Sequence, residues 1–239
     1  MLLFFVFTFN AKDILLYLEN KEVNNMKFID VENMDRKKAY KMFKSFGNAT
    51  YGCSVEMDVT KLVALSKQKG QSFFLNTLYL VCRAINDIDE MRMRLVDDKP
   101  AIYEKAHPGF TVMTDAGFYV NTYTTFYEDY KKFYDEAKIS LDSAKKNKPI
   151  SEFPNEKYGY IYITSLPWIS FTQMTHPIPE SQSSQCIPRV CWGKYFEKDG
   201  KLIMSLNITV SHIFVDGYPL SKTFLKVQEY FENAERWLK

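Results

Sequence analysis

The chain has 239 residues, and 31 Lys plus Arg stand against 29 Asp plus Glu, for a formal charge of +2. That balance removes the charge argument for a nucleic-acid or membrane partner, and the length suits one sizeable core rather than two full domains. The 16 Tyr and 19 Phe cover large areas and favour sheets, which points to a β-rich core or interface.

In chain order, the opening MLLFFVFTF is apolar but too short to span a bilayer. With no basic leader before it and no small-residue cleavage site after it, it is a poor signal peptide. Lys21-Glu22-Val23-Asn24-Asn25, ahead of Met26, reads as the in-frame translation of a purine-rich ribosome-binding sequence and its spacer. The expectation is that residues 1–25 are translated leader and that 26–239 form a single domain. Lys27–Val31 reads as a short strand. Asn33 or Asp35 can cap a helix through Arg36, Lys37, Tyr40 and Phe43 that Gly47 ends. Tyr51–Val59 alternates as a strand, with Cys53, Val55, Met57 and Val59 on one face. Thr60 opens a helix stopped at Gly70. Phe73–Asn86 is a second helix, apolar enough to be buried on more than one side, with Phe73-Phe74 read as core.

Shorter strands follow at Met91–Leu95, Ala101–Tyr103, Gly109–Thr114 and Phe118–Tyr123. Thr125–Asn147 reads as a charged helix whose stripe of Phe126, Tyr130, Phe133 and Tyr134 faces the core. Pro149–Pro154 reads as a linker, Tyr158–Ser165 as a strand and Pro177–Pro188 as a polar loop. Val190–Glu197 and Lys201–Val210 flank Lys198-Asp199-Gly200 and read as a hairpin. A last helix carries Leu220, Phe224, Val227, Phe231 and Ala234 on one face. Strands and helices mix without strict alternation, which argues an α+β fold with a mixed or antiparallel sheet.

Cys53, Cys82, Cys186 and Cys191 form no Cys-x-x-Cys pair and have no histidine at ligand spacing. They predict neither a metal site nor a disulfide framework, but buried reduced thiols in a cytoplasmic protein. His107 and His176, each before a proline, read as turn residues. His212 is different. On a strand through Leu202–His212 it closes the apolar face of Leu202, Met204, Leu206, Ile208 and Val210, while Ser205, Asn207, Thr209 and Ser211 face the other way. Partly desolvated and held by packing, such an imidazole is placed to accept a proton. Asp216-Gly217 follows, where a helix N-terminus can stabilise the carboxylate and glycine permits a tight turn. A histidine on an apolar face can equally be a satisfied core residue, and spacing alone does not separate the two.

Phe28-Ile29-Asp30-Val31 with Arg36-Lys37, Met91-Arg92-Met93-Arg94, His107-Pro108-Gly109-Phe110-Thr111-Val112, Ile163–Phe171 (ITSLPWISF), Gly193-Lys194-Tyr195, and His212 to Gly217 are spread over almost everything after Met26. Together they resemble the type A chloramphenicol acetyltransferases. The resemblance implies a mixed sheet flanked by helices, of the CoA-dependent acyltransferase type, assembled as a homotrimer with active sites at subunit interfaces. It implies acetyl-CoA as co-substrate, a small alcohol such as chloramphenicol as acceptor, and neither metal, nucleic acid nor membrane. His212 would be the general base, Asp216 and Arg36 an ion pair holding the turn after it, and Thr164 the hydroxyl that meets the oxyanion. Phe43, Tyr51, Tyr162 and Cys191 would line the substrate site. Cys191 stands where the family has threonine, Tyr162 where it has asparagine, and Ser211 where it has a first histidine. Two other functions share the motif: acyl transfer to a lipoyl thiol, and an inactive relative that binds an antibiotic or metabolite.

Overall fold

The computed structural model describes residues 25–148 and 159–239. Of the expected leader only Asn25 falls among them, and the expected linker Pro149–Pro154 lies outside. The chain runs β1 (Met26–Phe28), a 3-10 turn at Val31–Asn33, α1 (Lys37–Lys44), β2 (Thr50–Asp58), α2 (Thr60–Lys69) and α3 (Phe73–Asn86). A second 3-10 turn, Asp89–Arg92, leads into β3 (Met93–Val96), β4 (Lys99–Tyr103), β5 (His107–Met113), β6 (Tyr119–Tyr123) and α4 (Tyr130–Lys145). Then come β7 (Tyr160–Leu166), α5 (Gln182–Gln185), β8 (Arg189–Gly193), β9 (Phe196–Lys198), β10 (Lys201–Ser211), α6 (Gly217–Glu232) and α7 (Ala234–Trp237).

The main sheet has the order β2-β10-β8-β7-β5-β6, with β9 also on β10, and β1-β4-β3 form a small second sheet. It is mixed: β10 is antiparallel to β2 and β8, β7 is parallel to both β8 and β5, and β6 is antiparallel to β5. The α+β class with a mixed, helix-flanked sheet is therefore the observed one. Met204, Leu206, Ile208 and Val210 of β10 are all buried, in one cluster with Leu78, Val81 and Ile85 of α3 and Leu220, Phe224 and Val227 of α6. That burial is the main force fixing the register, because a slip of one residue would turn the apolar set out of the core.

The opposite face is polar but not open. Ser205, Asn207 and Ser211 are almost fully buried, because the segment between β7 and β8 folds across them. Its near end is tied by Ser205 Oγ donating to Phe171 O and by Lys194 N–H donating to Ile169 O at 2.7 Å. A Cβ on Gly193 would lie 2.9 Å from Ile169 O, so this close approach requires glycine.

Several expectations shift by a physical cause. Neither Asn33 nor Asp35 caps α1: Asp30 caps the preceding 3-10 turn through Glu32 N–H (3.0 Å), and Arg36 occupies the α1 cap position with its side chain engaged elsewhere. α4 begins at Tyr130, not Thr125, because Asp129 accepts from Lys132 N–H at 2.8 Å and sets the start there. The strand expected over Val190–Glu197 breaks at Lys194-Tyr195, where Lys194 turns to Ile169. Its hairpin with β10 is as read, since Asp199 and Gly200 both take positive φ (52° and 74°). The cysteines are all free; Cys82, Cys186 and Cys191 are buried, but Cys53 is exposed near the start of edge strand β2. Phe73 and Phe74 are only partly buried, packed against the core rather than within it. Among the described residues no three His, Cys, Asp or Glu side chains group as a metal site, and no helix is long and apolar enough to cross a membrane.

Candidate active site

His212 sits one residue beyond β10, in the turn that leads to α6. Its backbone N–H donates to Ala49 O at 2.8 Å, which ties the turn to the residue before β2. The imidazole stacks on Phe43 of α1, with ring centroids 3.9 Å apart and planes at 14°, and packs against Tyr51 of β2 at 4.7 Å. About a third of the side chain, 32%, stays exposed. The apolar face of β10 thus ends in an imidazole held by two aromatic rings.

The turn is clamped from outside. Arg36 donates from Nε to Asp216 Oδ2 at 3.0 Å and from Nη2 to both Asp216 Oδ1 and His212 O, the latter at 3.1 Å. Its Nη1 donates to Ile213 O. One planar guanidinium therefore holds a carboxylate and two carbonyls of the turn, a fork that a lysine ammonium cannot reproduce. The pair is partly exposed, with 42% of the Asp216 side chain and 19% of Arg36 open to solvent. Asp216 stands at the α6 cap position but makes no side-chain cap bond, because Arg36 takes its carboxylate. Gly217 is not needed for the turn: its φ is not positive and a Cβ there would meet nothing within 4 Å. Asp216 Oδ1 also comes within 3.0 Å of His212 Nδ1, but off the line of the ring N–H, so the buried Nδ1 has no hydrogen bond. Tyr51 Oη donates to Val215 O at 3.2 Å, and its phenol is pushed up to about 12, first by burial and then by the Asp216 carboxylate.

Thr164 lies elsewhere. It is on β7, in register with Cys191 of β8, which is in register with Asn207 of β10. These three side chains share the polar face, opposite the face that His212 terminates. Two strand spacings of about 4.8 Å across the sheet and five residues at about 3.3 Å each along it put Thr164 and His212 roughly 20 Å apart in a straight line. One chain cannot bring both groups to one reacting carbon.

Thr164 Oγ1 shares a hydrogen bond with Thr111 Oγ1 at 2.7 Å. Both line a cleft of ≈ 840 Å³ that also holds Tyr162, Trp168, His176 and Arg189. That volume suits a small organic ligand. A second cleft of ≈ 630 Å³ is lined by Tyr51, Cys53, Asn207 and Thr209, and it shares Met174 and His176 with the first. Cys191 lines neither: it has no exposed surface, and burial pushes its thiol up to about 12.

The expected residues thus fall into two groups, Arg36, Phe43, Tyr51, His212 and Asp216 in one, Tyr162, Thr164 and Cys191 in the other. Thr111, His176 and Arg189 were not singled out as site residues. Thr111 becomes a partner of Thr164 only through β5–β7 pairing, and His176, standing before Pro177, carries only the signal of a turn residue.

The family model for chloramphenicol acetyltransferase matches residues 24–228. The chain belongs to the chloramphenicol acetyltransferase family. It is accordingly an acyltransferase. Relatives in this family include the chloramphenicol acetyltransferase of Bacillus pumilus, 27% identical over 208 residues that cover 87% of this chain and 94% of that one. The Clostridium perfringens protein is also 27% identical, over 221 residues covering 89% and 99%. A solved chloramphenicol acetyltransferase superposes with a TM-score of 0.77 at 28% identity, covering 86% of this chain and 99% of its own. A probable dihydrolipoamide acetyltransferase from Listeria monocytogenes, at TM-score 0.62 and 12% identity, shares the fold alone.

Proposed function

We propose that this family member is an acetyl-CoA-dependent O-acetyltransferase acting on the primary hydroxyl of chloramphenicol or a similar small alcohol. The observation that carries the reading is the Arg36 clamp on the turn that presents His212. Two stretches distant in sequence, residues 36–51 and the 212–216 turn, converge to fix one imidazole, an expense of ordering that a filler residue does not call for.

Acetyl-CoA supplies the acetyl group as a thioester. His212 takes the proton of the acceptor hydroxyl as that oxygen attacks the thioester carbon. Its Nδ1 is enclosed against the Asp216 carboxylate, which favours the proton there and leaves Nε2 as the base. Thr164 Oγ1, turned by its bond to Thr111, donates to the carbonyl oxygen as negative charge develops on it. When the tetrahedral intermediate collapses, the proton held by His212 passes to the departing thiolate.

Because His212 and Thr164 of one chain lie roughly 20 Å apart on opposite sheet faces, the reading requires two copies at each site, as a homotrimer with sites between subunits provides. The exposed Met113, Phe118, Tyr119, Trp168 and Ile169 around edge strand β6 and the first cleft are the apolar surface such an assembly would cover.

Purified protein given acetyl-CoA and chloramphenicol should release free CoA thiol and yield a product heavier by one acetyl group. A sensitive bacterium expressing residues 26–239 should survive the drug. A folded protein silent with chloramphenicol and with a panel of small alcohols overturns the reading.

A further inference from the structure

His176 brings a third imidazole to the polar face of the sheet, away from His212. It lies on the segment between β7 and β8 and lines both clefts, in the first of them together with Thr164. Its Nε2 is buried and has no hydrogen-bond partner among the described residues. Burial, and after it the charge of Arg189, pulls the ring down to about 4, so it is uncharged at neutral pH.

The neighbouring Asn207 favours the proton on the nitrogen that faces it. Its amide group donates to Cys53 O at 3.3 Å and to Ser54 Oγ at 3.1 Å, and its Oδ1 accepts from Thr209 Oγ1 at 3.2 Å. With both amide hydrogens committed, Asn207 can only accept from the imidazole beside it. Nδ1 is then the N–H, and Nε2 is a lone pair on a residue that lines both clefts. Leaving such a group unpaired is unfavourable, and a packing role would be filled better by an apolar ring. No described residue satisfies it, so its donor comes from outside this chain, and the clefts that His176 lines admit a ligand.

We propose that His176 is a specificity-determining residue whose Nε2 accepts a hydrogen bond from a hydroxyl or amide N–H of the acceptor. The cleft then selects alcohols that carry a second hydrogen-bond donor besides the reacting hydroxyl. This rests on the acyltransferase reading above for the identity of the ligand as the acceptor. A site built around a polar contact rejects a ligand that lacks it more strongly than an apolar pocket rejects a misfit, because its own group is left unpaired.

The test is calorimetric binding to the full chain and to His176→Phe and His176→Gln. The probes are chloramphenicol, which has a second hydroxyl and an amide N–H, 3-phenyl-1-propanol, which has neither, and CoA. His176→Phe should weaken chloramphenicol binding about tenfold while CoA binding is unchanged, and 3-phenyl-1-propanol should bind both proteins alike or bind neither. His176→Gln, which keeps an acceptor, should recover part of the loss. Equal weakening of chloramphenicol and CoA, no weakening at all, or a wild type that binds chloramphenicol no better than 3-phenyl-1-propanol overturns the proposal. Thiol release is followed in parallel. Selective binding without acetyl transfer sinks the reading of the reaction and leaves the subsite standing.

Discussion

Replacing Arg36 separates a positioning role from a merely stabilising one. The guanidinium donates to Asp216 through two nitrogens and to the carbonyls of His212 and Ile213. Taking each carbonyl bond at about 1 kcal/mol net, because the turn borders solvent, and the partly exposed ion pair at about 1 kcal/mol, Arg36→Ala should cost about 3 kcal/mol. For a chain of this length that lowers the melting temperature by about 6–12 °C. The imidazole would also lose the anchor of its own carbonyl, and a displacement near 1 Å should reduce kcat about a hundredfold with little change in KM. Arg36→Lys keeps the charge but reaches at most part of the acceptor set, so it should recover stability more than kcat. Thermal unfolding and thiol release at saturating substrate, below the melting transition of each variant, read the two effects separately. An Arg36→Lys protein with full kcat, or an Arg36→Ala protein that melts early but turns over normally, would refute the reasoning.

Other expectations follow from the same geometry. Thr164→Val removes the hydroxyl at nearly constant volume and should lower kcat about 10²–10³-fold, whereas Thr164→Ser should keep most of it; equal kinetics for valine and serine would show that the hydroxyl plays no part. Gly193→Ala puts a methyl 2.9 Å from Ile169 O; it should displace the Pro167–Phe171 loop, lower the melting temperature by a few degrees and raise KM for the acceptor, seen by scanning calorimetry and initial rates. Gly217→Ala has open space and no positive φ, so the folded chain should be as stable as wild type by the same scan.

Much of the fold was legible because it rests on local patterns. α3 runs from Phe73 to Asn86 as read, since fourteen residues with no proline or glycine leave no competing element. The Asp199-Gly200 turn was legible for the same reason, as its residues suit its backbone. What the sequence hid depends on long-range capture. Asp216 has the chemistry of a helix cap, but Arg36, 180 residues away, claims it. Ser205, Asn207, Thr209 and Ser211 look like a solvent-facing strand edge, and only the crossing of the β7–β8 segment buries them. His176 carries no periodic signal, and its place between the clefts follows from that same crossing.

The central claim is that His212 of one copy and Thr164 of another serve a single reaction, and subunit mixing tests it most directly. His212→Ala and Thr164→Val, each nearly inactive alone, would be co-expressed with different tags and the mixed oligomers isolated. In a ring of three head-to-tail sites, one site of every mixed oligomer joins an intact His212 to an intact Thr164, so acetyl transfer should return to about a third of the wild-type rate. Mixed oligomers no more active than the two parents would contradict the account.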